Sequence, residues 1–455
     1  MSQKPITQYA LLAGPLLSML DSSIVNVAVV PVARGLHASL STVQWTVSGY
    51  MLALGTGLAG TAYLARRFGT VPVYRCSLIA FTLASLACAV APSAGALVGA
   101  RVIQGLVAAP LVPLAMSMLL GSEGSARSMS PVAGILLFAG PALGPAVGGA
   151  LIGTAGWRMI FLVNVPLGAL AVVAARRLPG RNEHRRYEKF DFSGLVLLAS
   201  GLGILLYGTT ERVWPVAAGG AALLAGYGWH ATRRESPALD VALAREPVAA
   251  LSMGLCAMAS VVTWAAVFLL PVFVQSVQGR SALAAGIAMA PQGVITGLST
   301  ALGGKVLARL TVRASVSAGF AVLAVATLGI VLIGPRTPLW VIAAILAVRS
   351  VSIGLVITPL LTALTAPLPP GRMADASTLF NAVQRVAGSF GIGLIAALYA
   401  SLARSAGAVP ALHTTGLVIA AIAGGGTVLA IAFPRGAEPG GAEPGGAEPG
   451  RADGT

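Results

Sequence analysis

The sequence contains few charged residues: Asp, Glu, Lys and Arg together make up 9% of its 455 residues. A soluble domain typically carries about 25% charged residues, so the composition argues against a soluble globular protein. Apolar residues reach 56% of the chain, and the mean hydropathy is +0.86. A helix crosses a bilayer with roughly 20 mostly apolar residues, and the ten-residue alternation of a membrane barrel is missing. We therefore predict an all-α polytopic membrane protein.

Cysteine and histidine are also scarce, with three and four copies. Cys76, Cys88 and Cys256 are isolated, without the spacing of a disulfide framework or a metal site. No glycine-rich loop ends in Lys-Ser or Lys-Thr, so ATP is not expected as an energy source. These absences predict no enzyme activity, no metal and no cofactor.

The net charge of +15 has two explanations, a nucleic-acid surface or the basic loops of a membrane protein. Cytoplasmic loops of membrane proteins are rich in Lys and Arg. With the N-terminus placed inside the cell, the loops after even-numbered apolar segments hold most of the basic residues, so the second explanation is preferred. We predict contact with the bilayer, no nucleic-acid partner, and cytoplasmic N- and C-termini. Fourteen apolar segments carry this pattern, at about 9–33, 45–65, 73–91, 94–120, 130–154, 159–175, 192–209, 213–231, 248–275, 282–308, 314–334, 338–361, 375–400 and 412–433.

The fourteen segments divide as six, two and six, followed by a low-complexity tail. The predicted units are an N-terminal six-helix bundle (1–180), a central two-span insert with flanking cytoplasmic linkers (181–245), a C-terminal six-helix bundle (246–434) and a tail (435–455). The tail contains the repeat "GAEPGGAEPGGAEPG". Gly and Pro without apolar residues cannot build a core, so the tail is predicted to be disordered.

Asp21, in "MLDSSIVNVAVVP", is the acidic residue that lies inside an apolar segment, and Asp375 borders another segment. Arg101, Arg349 and Arg385 are basic residues inside such segments. An ionisable group at the bilayer centre costs at least about 2.5–3.5 kcal/mol. Such a group should therefore face an aqueous cavity or a partner, and a purely structural buried pair is the alternative. In "RVIQG", Arg101 and Gln104 are three positions apart and share one face of a helix. A cation within reach of Asp21 would favour its charged form and burial its neutral form, so this carboxyl is expected to bind and release a proton.

The stretch "AGPALGPAVGGALIG" places Gly140, Gly144 and Gly148 at intervals of four residues. A stripe of small residues allows another helix to approach closely, and the repeated Gly-Pro bends the helix. Aromatic residues of two other segments are candidates for lining a cavity, although core or interface positions are the commoner use. These aromatic residues are Trp45, Tyr50, Trp264, Phe268 and Phe273.

These motifs together resemble the drug:proton antiporters of the major facilitator superfamily, in the fourteen-span multidrug-export branch. "LDSSIVNVAVVP" and "QWTVSGYMLALG" resemble the first two spans of that branch, and "GWRMIFLVNVPLG" and "NAVQRVAGSFGIG" its sixth and thirteenth. "RVIQG" is similar to the fourth-span motif, whose arginine is implicated in proton coupling. "GPALGPAVGG" looks like the fifth-span antiporter motif, which is typical of exporters. The resemblance covers nearly the whole chain and implies two six-helix bundles that rock around a central site.

The resemblance implies three groups of functional residues. Asp21 and Arg101 are the proton-coupling candidates. The antiporter motif comprises Gly140, Gly144, Pro145, Gly148 and Gly149. The candidate substrate-binding residues are Asp21, Asn26, Tyr50, Gln104, Trp264, Phe268, Gln292, Asn381 and Gln384.

The cytoplasmic gating loop, with Arg66, Arg67 and Gly69, departs from the family pattern. Its motif usually carries an acidic residue three positions before Gly69, where this chain has Arg66.

The function expected is proton-coupled export of amphipathic drugs or antibiotics by a monomer in the inner membrane of a bacterium. An importer of the same fold is the alternative, against which the fifth-span motif argues. A membrane scaffold or receptor is a third class, and the cost of intramembrane Asp21 and Arg101 argues against it.

Overall fold

The computed structural model describes residues 5–120, 131–178, 190–234, 237–307 and 310–433. Within these ranges the chain forms α-helices, two short 3-10 helices and connecting turns, and no strand is assigned. The predicted tail lies outside the described residues. The observed structure therefore agrees with an all-α protein.

The first nine helices belong to the N-terminal half. They are α1 (Pro5–Gly35), α2 (Leu40–Val43), α3 (Trp45–Phe68), α4 (Thr70–Ala89), α5 (Ala94–Ala108), α6 (Leu111–Leu120), α7 (Pro131–Ala155), α8 (Met159–Leu162) and α9 (Asn164–Ala175). Local chemistry explains several boundaries. Ser93 caps α5, because its Oγ accepts a hydrogen bond from the N–H of Ala96 at 3.2 Å. Pro110, which has no N–H to donate, lies between α5 and α6.

The remaining helices belong to the predicted central insert and to the C-terminal half. They are α10 (Phe192–Thr210), α11 (Trp214–Ala231), α12 (Pro247–Ser276), α13 (Ala282–Leu307), α14 (Val312–Leu328), α15 (Leu339–Thr365), α16 (Pro370–Ala406) and α17 (Ala408–Ile431), with 3-10 helices at Val241–Arg245 and Gly329–Leu332. The insert forms an α10–α11 hairpin, and α10 contacts both α3 and α16. The insert therefore touches both halves of the molecule.

Ten helical segments in the described residues are long and apolar enough to cross a membrane. Large apolar side chains cover the outer surface of these helices: Val325 and Leu332 are 71% and 78% exposed. A soluble monomer rarely exposes so much apolar surface, so the helices are those of a multi-pass membrane protein. Helices also lie at the other four predicted segments, formed by α3, α7, α8 with α9, and α11, but their described parts fall outside this set. The number of fourteen crossings therefore stays a prediction.

The two halves pack against each other along two helix pairs, α7 with α13 and α3 with α16. Hydrogen bonds join the halves at other points. Gln275 Nε2 donates to the carbonyl of Val27 at 3.0 Å, and Ser389 Oγ donates to the carbonyl of Ser48 at 2.7 Å. A central cavity lies between the two halves.

Candidate functional site

Asp21 and Arg101 form a buried ion pair inside the N-terminal half. Arg101 Nη1 donates to Asp21 Oδ2 at 2.5 Å, and the two side chains are 1% and 0% exposed. The pairing confirms that the intramembrane aspartate has a basic partner. Removing either member would leave an uncompensated buried charge, which is strongly unfavourable.

Three further polar side chains complete a network around the carboxylate of Asp21. Asn164 Nδ2 donates to Asp21 Oδ1 at 2.8 Å. Gln104 accepts from Arg101 Nη1 at 2.7 Å and donates to Ser85 Oγ at 2.6 Å. Five residues from α1, α4, α5 and α9 therefore share one buried hydrogen-bond network, in which a change at one member alters the environment of the others.

Arg101 is also fixed from the side of α3. Its Nε donates to the carbonyl of Thr46 at 2.9 Å, and its guanidinium lies 4.0 Å from the centroid of the Tyr50 ring. Tyr50 in turn shares a hydrogen bond with Ser18 of α1 at 3.3 Å. A cation over an aromatic ring is attracted by the ring's negative face. Tyr50 is therefore part of the setting of the ion pair.

A cavity of about 230 Å³ lies between the two halves. Its N-terminal wall comes from α1 and from Pro145 of α7, and α12, α13, α14, α15 and α16 supply the opposite wall. Met19, Ser22, Ser23 and Asn26 of α1 line it, whereas Asp21 does not. Side chains three and four positions apart share one helix face. The same stretch of α1 thus presents one face to the cavity and another to the buried network.

The predicted substrate-binding residues divide between four environments. Asn26, Trp264, Gln292 and Gln384 line the cavity. Asp21 and Gln104 lie in the buried network, with Tyr50 beside it against Arg101. Phe268 is buried outside the cavity lining. Asn381 is exposed on α16, where its Nδ2 donates to the carbonyl of Ser377 at 2.8 Å. The structure thus brings four of the nine together around one space, and the binding role of all nine stays a prediction.

The glycines of the antiporter motif lie where α7 meets two other helices. A Cβ at Gly144 would lie 2.7 Å from the Cβ of Ser23, and one at Gly148 would lie 2.8 Å from Ile24 Cγ2, both on α1. On another face, a Cβ at Gly149 would lie 2.6 Å from the carbonyl oxygen of Ala282 at the start of α13. The motif therefore lets α7 approach both α1 in its own half and α13 in the other half. Gly140 lies in α7, but its packing lies outside the described contacts.

The predicted gating loop is the turn between α3 and α4. Arg66 and Arg67 occupy the last turn of α3, and Gly69 has φ +92° with its N–H donating to the carbonyl of Ala65 at 2.9 Å. This left-handed backbone conformation favours glycine, which explains the residue type at that position. Arg66 lines a second cavity of about 300 Å³ formed by α3, the segment around the insert, and α16.

Sequence reasoning missed two members of the buried network, Asn164 and Ser85. Asn164 stands in the quoted "GWRMIFLVNVPLG", where an amide among apolar residues is the signal that could have found it. Ser85 gives no such signal, because serine is common in membrane helices. Arg385 was noted as an intramembrane charge, and the structure places it in the cavity lining.

Two membrane-helix halves around a central cavity, with a buried ion pair beside it, define a transporter. The sequence model of the Major Facilitator Superfamily matches residues 11–392. The chain belongs to the major facilitator superfamily of membrane transporters.

Two curated relatives give the family relationship at the level of whole chains. The chain is 34% identical over 394 residues to the Multidrug resistance protein B homolog of Mycobacterium tuberculosis, covering 83% of this chain and 73% of that protein. It is 30% identical over 413 residues to the Multidrug export protein EmrB of Escherichia coli, covering 88% and 80%. Among solved structures, nucleoside transporter NupG superposes with a TM-score of 0.70 over 94% of this chain and 98% of that one. At 14% identity, that likeness shows the fold alone.

Proposed function

We propose that the protein exports amphipathic organic compounds and that protons moving inward drive the export. The single observation that carries this proposal is the placement of the Asp21–Arg101 pair on the far side of α1 from the central cavity. The names of its relatives, a multidrug resistance protein homolog and a multidrug export protein, support export of several compounds.

The coupling step depends on what a proton does to Asp21. A deprotonated carboxylate accepts from Arg101 and Asn164. Protonation removes its charge, which weakens its hold on Arg101 and leaves the guanidinium with Gln104 and the Thr46 carbonyl. A proton shifts the equilibrium between two arrangements of the protein only if it binds more tightly to one arrangement than to the other. The network supplies that difference, because it can hold the charged carboxylate in one arrangement and release it in the other.

The link from the carboxylate to the cavity passes through α1. Met19, Ser22, Ser23 and Asn26 face the cavity from the helix that carries Asp21. A rotation or shift of α1 on protonation would move these side chains, and the close contacts at Gly144 and Gly148 would carry the movement to α7. The cavity then opens alternately to the two sides of the membrane.

We also propose the finer topology predicted from the sequence, in which the chain crosses the membrane fourteen times, arranged as six, two and six. Both termini lie in the cytoplasm of a bacterium, and the protein acts as a monomer in the inner membrane. Export of antibiotics would make the protein a resistance determinant. Import of a small organic solute on the same fold would reverse the direction of net movement, which a transport assay distinguishes.

The experiment uses purified protein in proteoliposomes with an imposed pH gradient and a panel of fluorescent amphipathic dyes. We expect the parent to move dye uphill against the inward flow of protons and a protonophore to abolish that movement. Asp21→Asn should insert and still exchange dye for dye without a gradient, yet lose uphill transport. Asp240→Asn is the matched control, since it makes the same chemical change at a carboxylate whose ion pair with Arg372 is partly exposed. Uphill transport by Asp21→Asn at the parental rate would refute the proposal.

A further inference from the structure

We propose that the central cavity takes organic anions: compounds in which a carboxylate or another acidic group is joined to an aromatic or apolar body, with Arg385 binding the anionic group. The inference rests on the proposed function in one respect, that the compound bound in this cavity is the one exported. The charges around the cavity indicate this class of substrate.

Arg385 of α16 is the charged residue of the cavity lining. Its guanidinium carbon lies 5.9 Å from the centroid of the Trp264 ring, which also lines the cavity. Among the residues that the structure describes, Arg385 makes no hydrogen bond or ion pair. A guanidinium carries five N–H donors in a planar fork that fits the two oxygens of a carboxylate. The donors of Arg385 are thus available to a ligand in the cavity.

Among the residues that the structure describes, no carboxylate is placed to neutralise Arg385. Asp21 lies inside a predicted membrane segment, but it is bound to Arg101 away from the cavity lining. Asp375, on the same helix as Arg385, is ten residues earlier, which corresponds to about 15 Å along the helix axis. It lines the second cavity rather than the central one.

A second arginine increases the positive charge on the same side. Arg349 of α15 is 5% exposed, and its guanidinium donates to Thr327 Oγ1 at 2.7 Å and to the carbonyl of Val262 at 2.8 Å. It lies behind the cavity wall, beside Thr263 and Gln292, which line the cavity. Both partners of Arg349 are neutral. Burying the charges of Arg349 and Arg385 without a carboxylate partner is unfavourable in a site of low dielectric. A bound anion would compensate these two charges. A bound cation would be repelled by them.

The rest of the lining suits the body of such a compound. Trp264, Val267 and Met289 provide aromatic, aliphatic and thioether surface. The side-chain oxygens of Asn26 and Gln292 are buried acceptors without a partner in the described structure, so they can accept a hydrogen bond from a hydroxyl or amide of the ligand. The cavity combines an anion-binding end, an apolar wall and two polar contacts.

The test measures binding of three probes that share one naphthyl group and differ in charge: 2-naphthoate, 2-naphthamide and the trimethyl(2-naphthyl)ammonium ion. Affinities are measured by calorimetry on the purified full-length protein in nanodiscs without a proton gradient. We expect 2-naphthoate to bind about tenfold to a hundredfold more tightly than the amide, the range expected for hydrogen bonds to a charged group. The ammonium probe should bind more weakly than the amide.

Variants assign the preference to Arg385. Arg385→Gln should abolish the difference between naphthoate and naphthamide, and Arg385→Lys should keep part of it, since an ammonium retains the charge but not the fork. Arg404→Gln is the matched control, an exposed arginine near the end of the same helix, and should leave the difference unchanged. Should Arg385→Gln fail to fold, the three affinities of the parent still decide the question. Equal binding of the three probes, tighter binding of the ammonium, or no binding of naphthoate would overturn the inference.

Transport of the same probes separates this inference from the proposed function. Uphill, proton-driven export of the ammonium probe but not of naphthoate would overturn the anion preference and leave the exporter standing. Charge-selective binding of naphthoate without proton-driven transport of any compound would refute the exporter and leave the anion site standing.

Discussion

Asp21 and Arg101 are 80 positions apart in the sequence, yet Arg101 Nη1 lies 2.5 Å from Asp21 Oδ2 in a site that excludes solvent. Their side chains come from α1 and α5, and α4 and α9 add Ser85 and Asn164 to the same network. Each of the two buried charges therefore depends on the other for its compensation.

Neutralising one member of the pair should destabilise the protein more than neutralising both. Asp21→Asn or Arg101→Gln alone leaves a buried charge unpaired, which costs about 3–5 kcal/mol. The double variant removes both charges, so it should lose less stability than either single variant and therefore much less than their sum. The stabilities of the parent and the three variants, measured by thermal unfolding in detergent, complete this double-mutant cycle. Additive losses would show that the two charges do not interact.

Asn164→Ala should weaken proton-driven transport through its effect on Asp21. The substitution removes the 2.8 Å hydrogen bond to Asp21 Oδ1, and hydrogen bonds to charged groups contribute about 1.5–3 kcal/mol. We expect a loss of about tenfold or more in the uphill transport rate. In an Asp21→Asn background the same change should have little further effect on transport. Equal losses in the two backgrounds would place the role of Asn164 elsewhere.

Gly148→Val should reduce transport while the protein still inserts. Its side chain would start 2.8 Å from Ile24 Cγ2, so α7 and α1 would have to separate, and overpacking of this kind costs about 1–3 kcal/mol. Gly153→Val, one turn along the same helix where nothing lies within 4 Å, is the control. Membrane expression and dye efflux are measured for both. Parental efflux by Gly148→Val would mean that the α1–α7 contact can loosen without consequence.

Gly286→Ala should disturb the contact between the two halves. A Cβ at Gly286 of α13 would collide with the carbonyl oxygen of Pro145 on α7, and a backbone atom cannot turn away as a flexible side chain can. We expect slower transport with a larger effect than for Gly254→Ala on α12, where a Cβ meets nothing within 4 Å. Accessibility of a cysteine introduced on the cavity wall, measured by thiol labelling, reports the separation of the halves. Identical labelling and rates in the two variants would contradict the prediction.

Asp191 should stabilise the central insert at neutral pH and lose this effect in acid. Burial acts to raise its pKa, but hydrogen bonds with His230 and from the N–H groups of Gly194 and Ala238 outweigh burial and leave the pKa below its ordinary value. A lowered pKa in the folded state means that the stabilisation is complete above the ordinary Asp value of about 3.9 and disappears as the pH falls through the folded value.

Thermal unfolding of the parent and Asp191→Asn at neutral pH and near pH 3 measures this effect. The difference in melting temperature should be larger at neutral pH than near pH 3. Asp240→Asn is the control, because its ion pair with Arg372 is partly exposed and such pairs contribute at most about 1 kcal/mol. A difference for Asp191→Asn that persists unchanged in acid would exclude the carboxylate as its cause.

The sequence by itself determined the class of the protein and the local character of its helices. Hydropathy alone separates membrane-spanning segments from loops, because a bilayer admits helices whose backbone groups bond internally. A lone carboxylate among apolar residues identified Asp21, since an intramembrane charge is costly wherever it lies. Regular spacing identified the Gly144 and Gly148 stripe, because neighbours on a helix face follow from the helix period.

The tertiary structure decided which of these features meet. The rotation of α1 against helices far away in the chain decides which of its side chains face which partner. It turns Asp21 toward Arg101 and Asn164, and it turns Met19 and Ser22 toward the cavity. The rotation of α13 and α16 likewise places Gln292 and Gln384 in the cavity lining and leaves Asn381 exposed. It also placed Arg385 in the cavity lining, where none of the described lining residues is a carboxylate. Helix rotation is set by packing of many weak contacts across the bundle, and no local pattern of residues encodes it.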